Sequence, residues 1–150
     1  MKVVLQRVSS ASVCIDKKTV ASIEAGMLIL LGIAEEDSLE DIAWLCKKIT
    51  TLRIFNDQNG VMNNSLLDVN GEVIVVSQFT LFASTKKGNR PSYSAAAKPE
   101  IAIPFYQEFV LAFEKEMGRK VQTGQFGADM SIALMNDGPV TIVIDSKNKI

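Results

Sequence analysis

Apolar and polar positions divide this chain into short β-patterned runs and two helical stripes. Lys2 to Ile15 and Val20 to Ile33 are rich in β-branched residues and joined by the polar Asp16-Lys17-Lys18-Thr19, which predicts an opening hairpin. Ser38 then starts a helix. Its hydroxyl can cap the first turn, Asp41 stands three residues on, and Ile42, Leu45, Cys46 and Ile49 recur at helical spacing. Leu52 to Phe55 and Val61 to Leu67 read as strands about a turn at Asn56-Asp57-Gln58-Asn59-Gly60. A central strand, Glu72 to Ala83, follows. Its Val73–Val76 run, opened by the hairpin dipeptide Asn70-Gly71, predicts burial on both faces. Pro104 fits the first turn of a second helix, with Phe105, Phe109, Ala112, Phe113 and Met117 as its stripe and Gly118 as its stop. Two helices against many strands predict a mixed α/β fold, one domain over residues 1–150, with a strongly curved, barrel-like sheet.

Two places break the pattern. Ser77, Gln78 and Thr80 interrupt an apolar run that resumes at Leu81, and buried polar groups must be bonded or cost roughly 1–3 kcal/mol each. Such a cluster is either a satisfied core network or a site. Near the other end, Asn136-Asp137-Gly138-Pro139 has the composition of a turn between strands Ser131–Met135 and Val140–Asp145. The alternative is a rigid backbone element whose carbonyls face a ligand, since Gly138 is free in its backbone angles and Pro139 has no N–H. Between these lies Ser84 to Ile103, a long loop carrying Lys86, Lys87 and Arg90, which is either a solvated turn or a contact for phosphates. Phe126, flanked by Gly124 and Gly127, stands apart from the core stripes and could lie against a base.

Composition narrows the chemistry further. The chain has no histidine, which removes Ser-His-Asp and Cys-His catalysis and every His-ligated zinc site. Cys14 and Cys46 fall on a strand and on a helix's apolar face, so they read as small core residues, and no metal site is expected. Hydrolysis, if it occurs here, relies on hydroxyls, amides, carboxylates, Lys or Arg, backbone dipoles or a group that the substrate brings. The net charge of −1 argues against wrapping a long nucleic acid, so any RNA contact is expected to be local, and no DNA partner is expected. The apolar run Met27–Leu31 is too short to cross a bilayer, and Met1-Lys2-Val3-Val4 leads directly into strand pattern, so a cytoplasmic protein is expected.

Ser77-Gln78-Phe79-Thr80-Leu81 together with Asn136-Asp137-Gly138-Pro139-Val140-Thr141 closely resembles the D-aminoacyl-tRNA deacylases. The likeness extends over the chain, through Met1–Val8, Leu52-Arg53-Ile54-Phe55, Arg90-Pro91-Ser92 and Gln122–Met130, with small departures such as Phe82 and Met135. The resemblance implies hydrolysis of the ester of D-aminoacyl-tRNA, and of mischarged glycyl-tRNA, by a homodimer without a cofactor. It implies that backbone N–H groups at Phe79 and Thr80, with Ser77 and Gln78 shaping the pocket, stabilise the oxyanion while the ribose 2′-hydroxyl assists water. Thr80 as a nucleophile stands second, because no base lies within the motif to activate it. Gly138 and Pro139 would form the chirality filter, their carbonyls parallel if the bond between them is cis and reaching into the partner subunit's pocket. Arg7 would orient that element, and Phe126, Lys86, Lys87 and Arg90 would meet the RNA end. Two other classes stay open: a non-catalytic module that binds tRNA ends, and a general amidase or peptidase of D-residues.

Overall fold

The computed structural model describes residues 1–150 and is organised around one long strand. Strand β1 (Lys2–Ile15) is bordered on one side by β8 (Ser131–Asp145). On its other side it pairs first with β3 (Gly26–Gly32) and then, past Val8, with β2 (Lys18–Ile23). The hairpin turn between β1 and β2 places Asp16 and Lys17 at φ 49° and 64°, the left-handed geometry that suits a tight two-residue connection. The expected run Val20–Ile33 is thus two strands. β3 continues into a parallel pairing with β6 (Glu72–Ser77), which pairs in parallel with the short β7 (Gln122–Thr123). The Gln122 carboxamide accepts from Ser22 N–H (2.7 Å) and donates to Ser22 O (2.5 Å). A side chain thereby imitates a strand neighbour and draws β2 toward β7, curling the mixed sheet into its barrel-like form.

β6 is buried as its β-branched run predicts, and on both faces. Val73 and Val75 join Met27, Ile29 and Leu31 in the core beneath the helices, while Ile74 and Val76 meet Val13, Ala21 and Ile23 on the other side. Asn70-Gly71 does not make a hairpin, however. Asn70 (φ 51°) ends a turn that Asp68 closes on Ser65, and the strand that follows runs parallel to β3. Nor does β6 reach Ala83. It stops at Ser77, and Phe79–Phe82 tighten into a single 3₁₀ turn.

Helix α1 (Leu39–Thr51) carries the expected capping box, with Ser38 N–H donating to Asp41 Oδ2 (2.8 Å). Helix α2 (Pro99–Met117) starts five residues before Pro104, which sits inside it on an exposed turn, and ends at Gly118 in the left-handed region (φ 68°). Phe109 and Phe113 are fully buried between the helices and sheet, each contributing about 2–3 kcal/mol by burial. The middle segment holds only β4 (Phe55–Asn56) and β5 (Met62–Asn64), shorter than expected and separate from the main sheet. The first and last elements are tied together. The Met1 amine is buried against Asp37 and donates to Ser146 Oγ (2.8 Å), and Lys147 pairs with Asp41 (2.7 Å). No helix is long and apolar enough to cross a membrane.

Candidate active site

Where β6 ends, the backbone turns away from the sheet because it has somewhere to go. Gln78 N–H still bonds Leu31 O (2.7 Å), the last tie to β3, and the chain then packs over Gly32. A Cβ at Gly32 would lie 3.1 Å from Gln78 O and from Leu81 Cβ, so the side chain's absence makes room for the turn. Within the turn the first hydrogen bond runs from Leu81 N–H to Gln78 O (3.2 Å). The N–H groups of Phe79 and Thr80 precede it and have no acceptor in the turn.

That turn forms one rim of a cavity of about 560 Å³. Ser77, Gln78 and Phe79 supply its polar edge; Leu31, Ile33 and Val76 form its floor, and Ala97 and Ala102 keep it open on the helix side. Phe126, Met130 and Ile132 close the opposite wall. The cavity is therefore apolar except beside the β6 end, where Ser77 and Gln78 contribute polar groups. The Thr80 side chain is not part of the lining. Its hydroxyl accepts from Gln78 Nε2 (2.5 Å), which holds the Gln78 amide.

Phe126 packs against the core and also lines the cavity. One edge of its ring rests on Tyr106 (centroids 5.9 Å apart), and it faces the cavity as well. Tyr106 donates to Val75 O (2.8 Å), the carbonyl that also accepts Gly124 N–H (3.3 Å), so a helix residue fixes the segment leading to Phe126. Burial pushes the Tyr106 phenol up to about 12, with a hydrogen bond to Thr123 opposing the shift. Sequence reasoning passed over Tyr93, which lines the cavity mouth and meets Phe79 edge-on (5.2 Å, 77°). It also passed over Met130, whose sulfur fills the space that a Cβ on Gly124 would occupy (2.5 Å). The small residues around both positions were the available signal. Lys86, Lys87 and Arg90 stand exposed in the loop closed by the Ser84–Ser92 bridge, and none of them lines the cavity.

The second unusual element lies on β8. Gln6 of β1 pairs with Thr141 and Val8 pairs with Asn136, so four residues, Asp137–Val140, stand opposite the single residue Arg7. Both halves of β8 run in line along the same neighbour. The expected turn between two strands is instead a bulge, and the chain does not reverse there. The Gly138–Pro139 bond is cis. Arg7, buried beneath, donates from Nε to Asp137 O (2.9 Å) and from Nη1 to Ile54 O (2.7 Å) and Asn56 Oδ1 (3.3 Å). Gly138 has φ 130°, and a Cβ there would lie 2.9 Å from Arg7 Nη2. Gly138 and Pro139 are exposed, and neither lines the cavity of their own chain.

Residues 4–145 match the family model described as D-Tyr-tRNA(Tyr) deacylase. Among curated proteins, the chain is 68% identical to a D-aminoacyl-tRNA deacylase of Flavobacterium psychrophilum and 62% identical to one of Bacteroides fragilis, in each case over 99% of both chains. Among solved structures it is similar to a "c-Myc DNA Unwinding Element Binding Protein", with a TM-score of 0.90, 38% identity, and 97% of this chain and 98% of that one covered. A second, "Structural Analysis of a probable eukaryotic D-amino acid tRNA deacylase", has a TM-score of 0.82 at 16% identity, covers 95% of this chain and 97% of that one, and shares the fold.

Proposed function

The chain belongs to the D-Tyr-tRNA(Tyr) deacylase family, and on that premise we propose that it hydrolyses the ester joining a D-amino acid, or glycine, to the terminal ribose of tRNA. The observation that carries this reading is the apolar cavity whose polar rim is the Ser77–Phe79 strand end, with the Phe79 and Thr80 N–H groups free of the turn's own bonds. An aminoacyl ester is already activated, so placement and oxyanion stabilisation supply most of what the reaction needs. Water adds to the ester carbonyl, the developing oxyanion accepts hydrogen bonds from the two N–H groups, and the ester bond breaks as the ribose oxygen takes the proton the water gives up, releasing free amino acid and tRNA. The terminal ribose 2′-hydroxyl assists the water, consistent with a chain that has no histidine. Phe126 holds the terminal base from the cavity wall, and Lys86, Lys87 and Arg90 meet the adjoining phosphates.

In this reading, selectivity belongs to Gly138 and Pro139. Their carbonyls accept from the α-amino group, an L side chain collides with main chain, and a D side chain or glycine's hydrogen does not. Gly138 and Pro139 do not line the cavity of their own chain, and in this reading a second copy of the chain completes the filter, making the working unit a homodimer. A cytoplasmic protein that meets aminoacyl-tRNA during translation fits this chemistry.

Deacylation of D-tyrosyl-, L-tyrosyl- and glycyl-tRNA, with D-tyrosyl-tRNA carrying a 2′-deoxy terminal adenosine as a fourth substrate, tests the proposal. Multiple turnovers on the D and glycyl esters, little on L, and a large loss with the 2′-deoxy substrate are expected. Equal D and L rates would remove the filter. Binding of tRNA without turnover would leave a non-catalytic RNA-end module, and undiminished activity on D-residue substrates lacking the adenosine would favour a general amidase.

A further inference from the structure

The bulge carrying Gly138 and Pro139 has two shoulders, and Arg7 bonds only the first, through Asp137 O. The second is held by another residue. Asn136, the last paired residue before the bulge, accepts from Val140 N–H at its Oδ1 (3.3 Å). Its Nδ2 donates to Gln6 Oε1 (2.8 Å) and to Thr141 Oγ1 (3.1 Å). Thr141, the first paired residue after the bulge, donates its hydroxyl proton to Gln6 Oε1 (3.4 Å).

The donors and acceptors balance. An N–H can only donate, so the Val140 contact fixes which end of the Asn136 carboxamide is oxygen. Both amide protons then have acceptors, and the Thr141 hydroxyl accepts one proton while giving its own. One side chain spans the neck of the bulge, and Gln6 on the neighbouring strand locks that side chain in place. The contacts tie both shoulders of the bulge to the neighbouring strand.

We propose that Asn136 is a positioning residue for chirality selection: it clasps the neck of the bulge so that the Gly138 and Pro139 carbonyls keep one spacing and one direction. The proposal rests on the role given above to Gly138 and Pro139. A filter that works by collision with main chain is only as strict as that main chain is stiff. If the Val140 shoulder loosens, the carbonyls can move aside and admit an L side chain. Asn136 therefore governs the ratio of D to L hydrolysis and touches no substrate itself.

The test is the ratio of kcat/KM on D-tyrosyl-tRNA to that on L-tyrosyl-tRNA, together with backbone amide exchange at Val140. Asn136→Ala is expected to lower the ratio on the order of tenfold, the size of effect that one or two lost hydrogen bonds supply. Val140 exchange should quicken while the β1–β3 ladder stays protected. Asn136→Asp, which keeps the acceptor for Val140 but loses both donors, should fall between. Thr141→Val should lower the ratio and Thr141→Ser should restore it. A wild-type ratio in Asn136→Ala, in a background where Gly138→Ala lowers it, overturns the proposal. If Gly138→Ala also leaves the ratio unchanged, the filter reading is what fails, and unchanged Val140 protection in Asn136→Ala then rules out the clasp on its own account.

Discussion

At the end of β6 the backbone leaves a parallel, fully buried pairing and tightens over a cavity; in the middle of β8 it leaves an antiparallel pairing and bulges into solvent. The first departure presents N–H groups, the second carbonyls, because Pro139 has no N–H to offer and the turn at Phe79 and Thr80 has no acceptor to spare. In the proposed function the first meets the developing oxyanion and the second the ammonium group, the two polar ends of an aminoacyl ester. The surroundings differ as well. The turn sits in a built cavity, whereas the bulge faces outward beside exposed apolar side chains, Met135 at 64% and Leu134 at 37% exposure. Neither Gly138 nor Pro139 lines the cavity that the turn borders.

The strongest way to break this comparison is to spoil the bulge alone. Gly138→Ala places a Cβ 2.8 Å from Val140 Cγ2 and 2.9 Å from Arg7 Nη2 at φ 130°. The misplaced carbonyls should cut D-tyrosyl-tRNA hydrolysis by ~10²-fold or more, read in single-turnover assays, with the cavity intact. Arg7→Met comes next. It leaves the Asp137 and Ile54 carbonyls without their donor, and chemical denaturation should show a loss of about 2–4 kcal/mol.

On the cavity side, Tyr106 gives a pH signature. Its phenol titrates near 12 in the folded chain and near 10 when unfolded, so its contribution is whole below pH 10 and disappears as pH rises toward about 12. Denaturation midpoints should fall across that window by an amount equivalent to about 2 kcal/mol, and Tyr106→Phe should flatten the slope. The smallest effect is expected from Thr80→Val. It removes the 2.5 Å bond to Gln78 but no backbone donor, so steady-state turnover should stay within about fivefold of wild type. An aminoacyl adduct trapped on Thr80 would reverse that ordering.

The two departures also differ in how far the sequence discloses them. β1 runs from Lys2 to Ile15 and α1 is capped by Ser38 and Asp41, as local patterning predicts, because those signals act over a few residues. The end of β6 is not visible locally, since Leu81 and Phe82 continue the apolar run. The turn that follows it packs over Gly32, far away in the chain, whose missing Cβ leaves room for it. Asn136-Asp137-Gly138-Pro139 has turn composition, but the neighbour that makes it a bulge is Arg7 on another strand. Pro104 misplaces the start of α2 for a related reason. Pro104 lies inside the helix on an exposed turn, and Pro99 supplies the actual first position. The residues of the candidate site were legible as types, while the bulge that carries Gly138 and Pro139 was not.

Mixing two damaged chains tests most directly whether chemistry and chirality come from different copies. Ala96→Trp fills the cavity and leaves the bulge intact; Gly138→Ala does the reverse. Each alone should be nearly inactive on D-tyrosyl-tRNA. Co-expressed, they should recover about one quarter of wild-type activity, the share of complete sites in randomly paired dimers. A mixture no more active than its separate parts would contradict the division of labour between the two elements.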